Sequence, residues 1–133
     1  MPHELTGGCF CGAVRYRAAG VKHTSYCHCR MCQKASGAPV VAFLSVPVDG
    51  FTLTQGTMQA YRSSAKAVRH FCPTCGTQLT FRLVDNPVEI DINLATLDHP
   101  ERLAPADHIY TSTAMPWLRI EDKLPRHWEA RPT

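Results

Sequence analysis

The sequence predicts a mainly β fold in a single domain that spans residues 1–133. Its length and its 44% hydrophobic residues suffice for one packed core and are short for two. Apolar and polar side chains alternate in several short runs, which is typical of half-buried strands, whereas helical periodicity is poor throughout. Seven cysteines and only 19% charged residues indicate a chain organised by sulfur chemistry, and they argue against a disordered or coiled-coil chain.

The first half of the chain predicts three elements in order. Residues 14–18 alternate apolar and basic side chains and predict a half-buried strand. Residues 29–36 are the only helical candidate, and Gly37 stands where a helix C-cap favours glycine. Residues 40–48 form a more continuous apolar run with prolines near its ends, which predicts a buried strand bounded by breakers.

The second half predicts more strands and then a loop. Residues 51–54 predict a strand that ends at Gln55-Gly56. Residues 79–83 and 88–94 both alternate, and the turn residues Asp85-Asn86-Pro87 between them predict a hairpin.

The proline-rich last third predicts a loop-rich segment that wraps the sheets. We expect Trp117, Leu118 and Ile120 to anchor this segment. Trp117 and Trp128 are expected to pack in the core or in a lid rather than to serve as substrate platforms.

Charge and the N-terminal residues bear on partners and compartment. The formal net charge is +3, but seven thiolates that held two divalent ions would bring it to about 0, and no two Lys or Arg residues are adjacent. We therefore expect no nucleic-acid partner. The start of the chain lacks a signal-peptide pattern and no apolar run could cross a bilayer, which predicts a cytoplasmic protein without membrane attachment. In a reducing cytosol, an odd number of cysteines favours metal ligation over disulfides.

Four of the cysteines have the spacing of a structural zinc site. Cys72-x-x-Cys75-Gly is a zinc knuckle, whose tight turn directs both sulfurs at one ion. Cys9-x-Cys11 is also followed by glycine, and residues two apart on an extended chain face the same side. Pairing these two motifs gives a closed tetrahedral Cys₄ site.

Cys27, Cys29 and Cys32 remain as three ligands without a fourth cysteine. Zinc enzymes use three protein ligands and an open position that takes water or substrate. A substrate thiol in that position would be held as a thiolate, which is a nucleophile at neutral pH. We therefore interpret these three cysteines as metal ligands and as the candidate catalytic site.

Two other arrangements of the cysteines stay open at this point. Cys29-x-x-Cys32 and Cys72-x-x-Cys75 could form a two-knuckle zinc ribbon, although the 39 residues between them exceed the usual gap of roughly 15 to 20, and three cysteines would be unexplained. The group of three could also be a second structural site completed by a histidine. His28 is nearest, but its side chain is expected to point away because both its neighbours would be ligands.

The residues around the cysteines resemble a known family. Similarity to glutathione-dependent formaldehyde-activating enzymes, whose domain is shared with centromere protein V, is carried by GGCFCGAVRY (7–16), CHCRMC (27–32), SGAP (36–39) and FCPTCGTQL (71–79). It continues through residues 95–98 and 108–110 and so covers nearly the whole chain.

The resemblance implies an Mss4-like β-tent fold with zinc-ribbon-like knuckles and two zinc sites. The implied structural zinc ligands are Cys9, Cys11, Cys72 and Cys75, and the implied catalytic zinc ligands are Cys27, Cys29 and Cys32. The implied activity is addition of the glutathione thiol to formaldehyde or a related aldehyde, as in S-(hydroxymethyl)glutathione synthase, a carbon–sulfur lyase. Glutathione, or another small thiol, and an aldehyde are then the partners.

Two alternative functions are a non-catalytic zinc-binding module for a protein or nucleic-acid partner, and a redox or metal-buffering role of the three cysteines. The basic residues are scattered rather than arranged as a stripe with aromatics, which counts against nucleic acid. His70 and His108 are expected to have structural or surface roles. Four arginines could meet glutathione carboxylates, but such residues on strands are usually solvated; they are Arg15, Arg17, Arg69 and Arg82.

Overall fold

Two β-sheets and one α-helix make up the part of the chain that the computed structural model describes, residues 4–86 and 88–132. The smaller sheet consists, in hydrogen-bonded order, of β1 (Leu5–Gly8), β2 (Arg15–Ala18) and β5 (Phe51–Gln55). The larger sheet consists, from one edge to the other, of β10 (Asp107–Ile109), β3 (His23–Cys27), β4 (Val41–Pro47), β9 (Glu89–Asn93), β8 (Gln78–Leu83), β7 (Ala67–Phe71) and β6 (Gln59–Arg62). The helix α1 spans Arg30–Ser36. The mainly β class is confirmed.

The connections between the strands carry the cysteines. Neighbouring strands are antiparallel except β10 and β3, which are parallel. The β1–β2 turn and the β7–β8 turn each contain two cysteines. The other three cysteines lie at the end of β3, at the N-cap of α1 and within α1, the helix that connects β3 to β4. The topology therefore places all seven cysteines at the ends of strands or in the connections between them.

Both sheets contribute to the main apolar core. Val14, Tyr16 and Ala18 come from the smaller sheet and its entry, and they pack in one cluster with Leu44 and Ile92 of the larger sheet. The hydroxyl of the fully buried Tyr16 forms a 2.7 Å hydrogen bond with the Thr96 hydroxyl, so its polar atom is not left unpaired. Burial of side chains of this size contributes about 1.5 to 3 kcal/mol each.

The predicted elements with clear periodicity are present. The strands predicted at 14–18, 40–48 and 51–54 correspond to β2, β4 and β5. The predicted hairpin is the antiparallel pair β8–β9, although Pro87 of its turn lies outside the described residues.

The predicted helix is α1, and its two ends have physical causes. The sulfur of its N-cap, Cys29, accepts the backbone N–H of Cys32, and Gly37 ends it in the left-handed conformation with φ 73°. No helix in the described part of the chain is long and apolar enough to span a membrane.

The expectation that Trp117 or Trp128 packs in the core is wrong. Trp117 is 70% exposed and Trp128 is 71% exposed, so neither packs in the core. The C-terminal segment is held instead by polar contacts: the Arg131 Nε donates to an Asp107 oxygen at 2.7 Å, and the backbone of His108 bonds to residues 125 and 127. Hydrogen bonds to strand β10 therefore hold this segment, and Trp117 is not the buried anchor that the sequence suggested.

Candidate functional site

The cysteines form two separate clusters. In the four-cysteine cluster (Cys9, Cys11, Cys72 and Cys75) and in the three-cysteine cluster (Cys27, Cys29 and Cys32), the sulfurs of each cluster all lie within 4.8 Å of one another. This is the division that the spacing predicted. The two-knuckle ribbon is excluded, because Cys29 and Cys32 do not share a cluster with Cys72 and Cys75.

The four-cysteine cluster joins the two sheets. Cys9 and Cys11, 3.6 Å apart at their sulfurs, come from the β1–β2 turn, and Cys72 from the β7–β8 turn lies 3.8 Å from Cys11. Gly12 and Gly76 follow the two pairs with φ of 84° and 80°, values that suit glycine and let each turn close.

Backbone amides surround these sulfurs as they do in zinc knuckles. The Cys72 sulfur accepts the N–H groups of Thr74 and Cys75 at 3.4 and 3.5 Å, and the Cys9 sulfur accepts the Val14 N–H at 3.2 Å. The hydroxyl of Thr77, 3.1 Å away, and neighbouring amides lower the pKa of Cys75 to about 5. Four cysteine sulfurs gathered in this way fit a soft divalent ion such as zinc.

The three-cysteine cluster depends on the junction of β3 and α1. Cys27 ends β3, Cys29 caps α1 and Cys32 lies in its first turn. The Cys27 sulfur lies 3.5 Å from that of Cys29 and 3.6 Å from that of Cys32. A short helix that starts directly after a strand thus turns three thiols toward one point.

Apolar side chains pack against the three-cysteine cluster, and one of its three cysteines is partly exposed to solvent. Cys27 and Cys32 are buried and pack with Phe43 and Phe81, whereas Cys29 is partly exposed. The thiols of Cys27 and Cys32 hydrogen-bond to the Cys29 sulfur and lower its pKa to about 2, while the same contacts and burial raise the pKa of Cys27. Three sulfurs that share protons in this way fit a divalent cation, which replaces those protons.

Neither neighbouring histidine belongs to a cluster. The His28 ring turns away from the sulfurs, and its Nε2 lies 2.8 Å from the Nδ1 of His108. The His108 Nε2 lies 2.9 Å from an Asp122 oxygen, so His108 donates there and accepts from His28. Burial lowers the pKa of His28, in keeping with a neutral ring. Among the described residues no histidine completes the three-cysteine cluster, and His70 on β7 lies in neither cluster.

The four arginines occupy different environments. Arg15 donates to Asp98 at 2.9 Å and Arg17 lies 3.2 Å from Glu4, both at the surface. Arg69 is only 6% exposed, and its Nη2 lies 3.5 Å from the Cys32 sulfur. The expectation of a solvated side chain is therefore wrong for Arg69. The burial of Arg69 beside Cys32 could have been predicted from the sequence only if strand β7 had been predicted.

A shallow cleft of about 220 Å³ lies between α1 and the C-terminal segment. Its lining includes two basic side chains of the helix, Arg30 and Lys34, together with the partly buried Met115 and the exposed Trp117 of the C-terminal segment. No sequence pattern predicts this cleft, because it forms between segments about 80 residues apart.

A family model described as glutathione-dependent formaldehyde-activating enzyme matches residues 4–113, a range that contains all seven cysteines. The chain belongs to the glutathione-dependent formaldehyde-activating enzyme family. The resemblance of the cysteine motifs to this family is thereby confirmed.

Two comparisons extend this result. An uncharacterized lyase of Schizosaccharomyces pombe is 34% identical over 82 residues, which are 61% of this chain and 58% of that protein's length. A crystal structure of a Rhodobacter sphaeroides protein superposes with a TM-score of 0.57 at 23% identity, over 71% of this chain and 88% of that one. At that identity the likeness concerns the fold alone.

Proposed function

We propose that this member of the glutathione-dependent formaldehyde-activating enzyme family is a zinc-dependent carbon–sulfur lyase. It adds the thiol of glutathione to formaldehyde or a related aldehyde, like S-(hydroxymethyl)glutathione synthase, and catalyses the reverse cleavage. The observation that carries the proposal is the three-cysteine cluster, which has a partly exposed ligand and no fourth protein ligand among the described residues. Family membership and the relative named as a lyase support it.

We propose zinc at both clusters, with a structural role at Cys9, Cys11, Cys72 and Cys75 and a catalytic role at Cys27, Cys29 and Cys32. At the three-cysteine cluster zinc supplies a Lewis acid that favours the thiolate form of a nearby substrate thiol. The four-cysteine cluster has a full set of protein ligands, as structural zinc sites do.

The residues around the three-cysteine cluster position the substrates. Phe43 and Phe81 exclude water from the buried side of the cluster, so charges there interact strongly. The basic cleft beside α1, with Arg30 and Lys34, suits the carboxylates of glutathione. In the addition, a bond forms between the thiol sulfur and the carbonyl carbon, and the thiol proton ends on the carbonyl oxygen.

The state of the cysteines also bears on the compartment. All seven are free, with sulfurs that approach to 3.5 Å in the three-cysteine cluster. Thiols this close form disulfides unless a reducing environment or a bound metal protects them. A cytoplasmic location therefore suits the protein.

Replacing Cys29 with alanine tests the catalytic role. We expect Cys29→Ala to reduce glutathione–formaldehyde exchange to the uncatalysed rate, because one of three ligands is lost. The exchange is measured by NMR with the uncatalysed rate subtracted. Met31→Ala is the matched control, since Met31 is 60% exposed in the same helix and is not a ligand.

Catalysis by folded Cys29→Ala protein at the unmodified rate would contradict the catalytic role of the cluster. Absence of catalysis by the unmodified, zinc-loaded protein with formaldehyde and with larger aldehydes would favour the non-catalytic binding module instead.

A further inference from the structure

Arg69 is a buried cation with incomplete partners. Its side chain is 6% exposed, its Nη2 lies 3.5 Å from the Cys32 sulfur, and its guanidinium carbon lies 4.8 Å from the centre of the Phe81 ring. Its Nε is also buried and has no acceptor within residues 4–86 and 88–132. In that part of the chain no carboxylate forms an ion pair with it.

Such a position is costly for a guanidinium unless an anion compensates its charge. Burial of an unpaired charge strongly opposes folding. A neutral Cys32 thiol is a weak partner, and the contact with the Phe81 ring offsets only a small part of the cost of burying the charge. The missing partner is therefore an anionic group at the three-cysteine cluster.

The thiolates of this cluster, together with a divalent ion, form that anionic group. Three thiolates around one divalent ion carry a net charge of about −1, which one guanidinium neutralises. The apolar wall of Phe43 and Phe81 keeps the local dielectric low, so this attraction is strong. A thiolate that approaches as an additional ligand raises the negative charge again and gains from the same cation.

We propose that Arg69 is the positioning residue that balances the charge of the three-cysteine cluster, and that it thereby raises the affinity of the cluster for a divalent metal and for a thiolate ligand. This inference rests on the proposed function, because it requires metal at that cluster. Arginine suits the role because it stays charged when buried and its planar fork holds a fixed orientation over an aromatic ring.

Metal titration of the reduced, metal-free protein tests the proposal. Zinc affinities are measured by competition with a chromophoric chelator for the unmodified protein, Arg69→Met and the control Arg82→Met. Arg82 lies on the neighbouring strand β8, half-buried, and contacts neither cluster in the described chain. A Cys29→Ala protein, which keeps only the four-cysteine cluster, identifies the equivalent that belongs to the three-cysteine cluster.

We expect Arg69→Met to weaken zinc binding at the three-cysteine cluster by about 10- to 100-fold, the usual effect of losing a group that supports metal ligands. Binding at the four-cysteine cluster and in Arg82→Met should be unchanged. Glutathione binding to the cobalt-loaded cluster is followed by the sulfur-to-cobalt absorption. In Arg69→Met the glutathione concentration that half-saturates the cluster should rise by about tenfold or more. Equal affinities in Arg69→Met and the unmodified protein would overturn the proposal.

A second measurement does not depend on whether Arg69→Met folds. In the unmodified protein the ¹⁵N resonance of the buried Arg69 Nε–H is followed through the zinc titration. We expect it to shift with the zinc equivalent of the three-cysteine cluster and again with glutathione, while the Arg82 resonance stays in place. An unmoved Arg69 resonance at two bound zinc ions overturns the Arg69 role alone, whereas binding of only one zinc ion overturns the proposed function and this inference with it.

Discussion

Asp91 is a carboxylate whose charge is opposed by burial. It lies on β9 between Ser45 of β4 and Phe81 of β8, and no side chain of the described residues donates a hydrogen bond to it. Burial, with a smaller effect of Glu89, raises the pKa of Asp91 to about 7, although Arg131 acts in the opposite direction. The folded protein therefore binds more protons than the unfolded chain between about pH 4 and pH 7.

This pKa has a definite consequence for stability. Because the folded-state pKa is raised, the stabilising contribution of protonated Asp91 is complete below about pH 4 and is lost as pH rises through 7. We expect Asp91→Asn to have a larger free energy of unfolding than the unmodified protein, and we expect this difference to grow by about 3 kcal/mol from pH 5 to pH 8. Urea unfolding at several pH values measures it, with exposed Asp49→Asn as the control. A pH-independent difference would show that Asp91 titrates normally.

The grouping of individual side chains was predictable where their spacing in the sequence determines it. The two cysteine clusters follow from Cys-x-Cys and Cys-x-x-Cys motifs, because short turns place such residues side by side in any fold. The different roles of Arg15 and Arg69 were not predictable, since both are single arginines on short strands. Only the strand register decides which arginine meets a cysteine.

The C-terminal segment is joined to the three-cysteine cluster by a chain of hydrogen bonds. Asp122 accepts from His108, which in turn accepts from His28, the residue between two cysteines of the cluster. The bond from His108 lowers the pKa of Asp122 to about 2, so the carboxylate keeps its charge until strongly acidic pH. The polar chain therefore couples the segment after β10 to the loop that precedes α1.

We expect Asp122→Asn to release the C-terminal segment without unfolding the sheets, because an amide oxygen is a weaker acceptor than a carboxylate. The measurement is hydrogen–deuterium exchange of residues 108–132 at neutral pH, which should become faster, while exchange in β4 and β9 stays as it was. Glu121→Gln is the matched control at an exposed position. Unchanged exchange in Asp122→Asn would show that the backbone bonds of β10 alone hold the segment.

At the scale of elements, periodicity predicted the three central strands of the larger sheet and missed the strands on either side of them. β4, β8 and β9 lie inside the larger sheet and carry long alternating or apolar runs. The elements that were missed are mostly short strands with polar or mixed residues, namely β1, β3, β6, β7 and β10. Hydrogen bonding to neighbouring strands, rather than a pattern in their own sequence, makes these segments strands. Strand β10, for example, forms by parallel pairing with β3, which is distant in sequence.

The whole molecule depends on the four-cysteine cluster, since it connects a turn of the smaller sheet with a turn of the larger sheet. We propose that residues 1–133 unfold as one domain, because both sheets also share a core. Cys72→Ala is expected to lower the melting temperature by about 10 °C or more in a single transition, and Cys29→Ala by less. Two separate transitions in calorimetry of the unmodified protein would contradict a single domain.

We propose that the chain binds two zinc ions and that one of them receives a thiol. The most direct test is the zinc content per chain of protein purified without chelator, measured before and after addition of glutathione together with X-ray absorption at the zinc edge. We predict two zinc ions per chain, with a change in the coordination of one of them when glutathione is added. One zinc ion per chain that is unaffected by glutathione would contradict the account and leave the four-cysteine cluster as a structural site only.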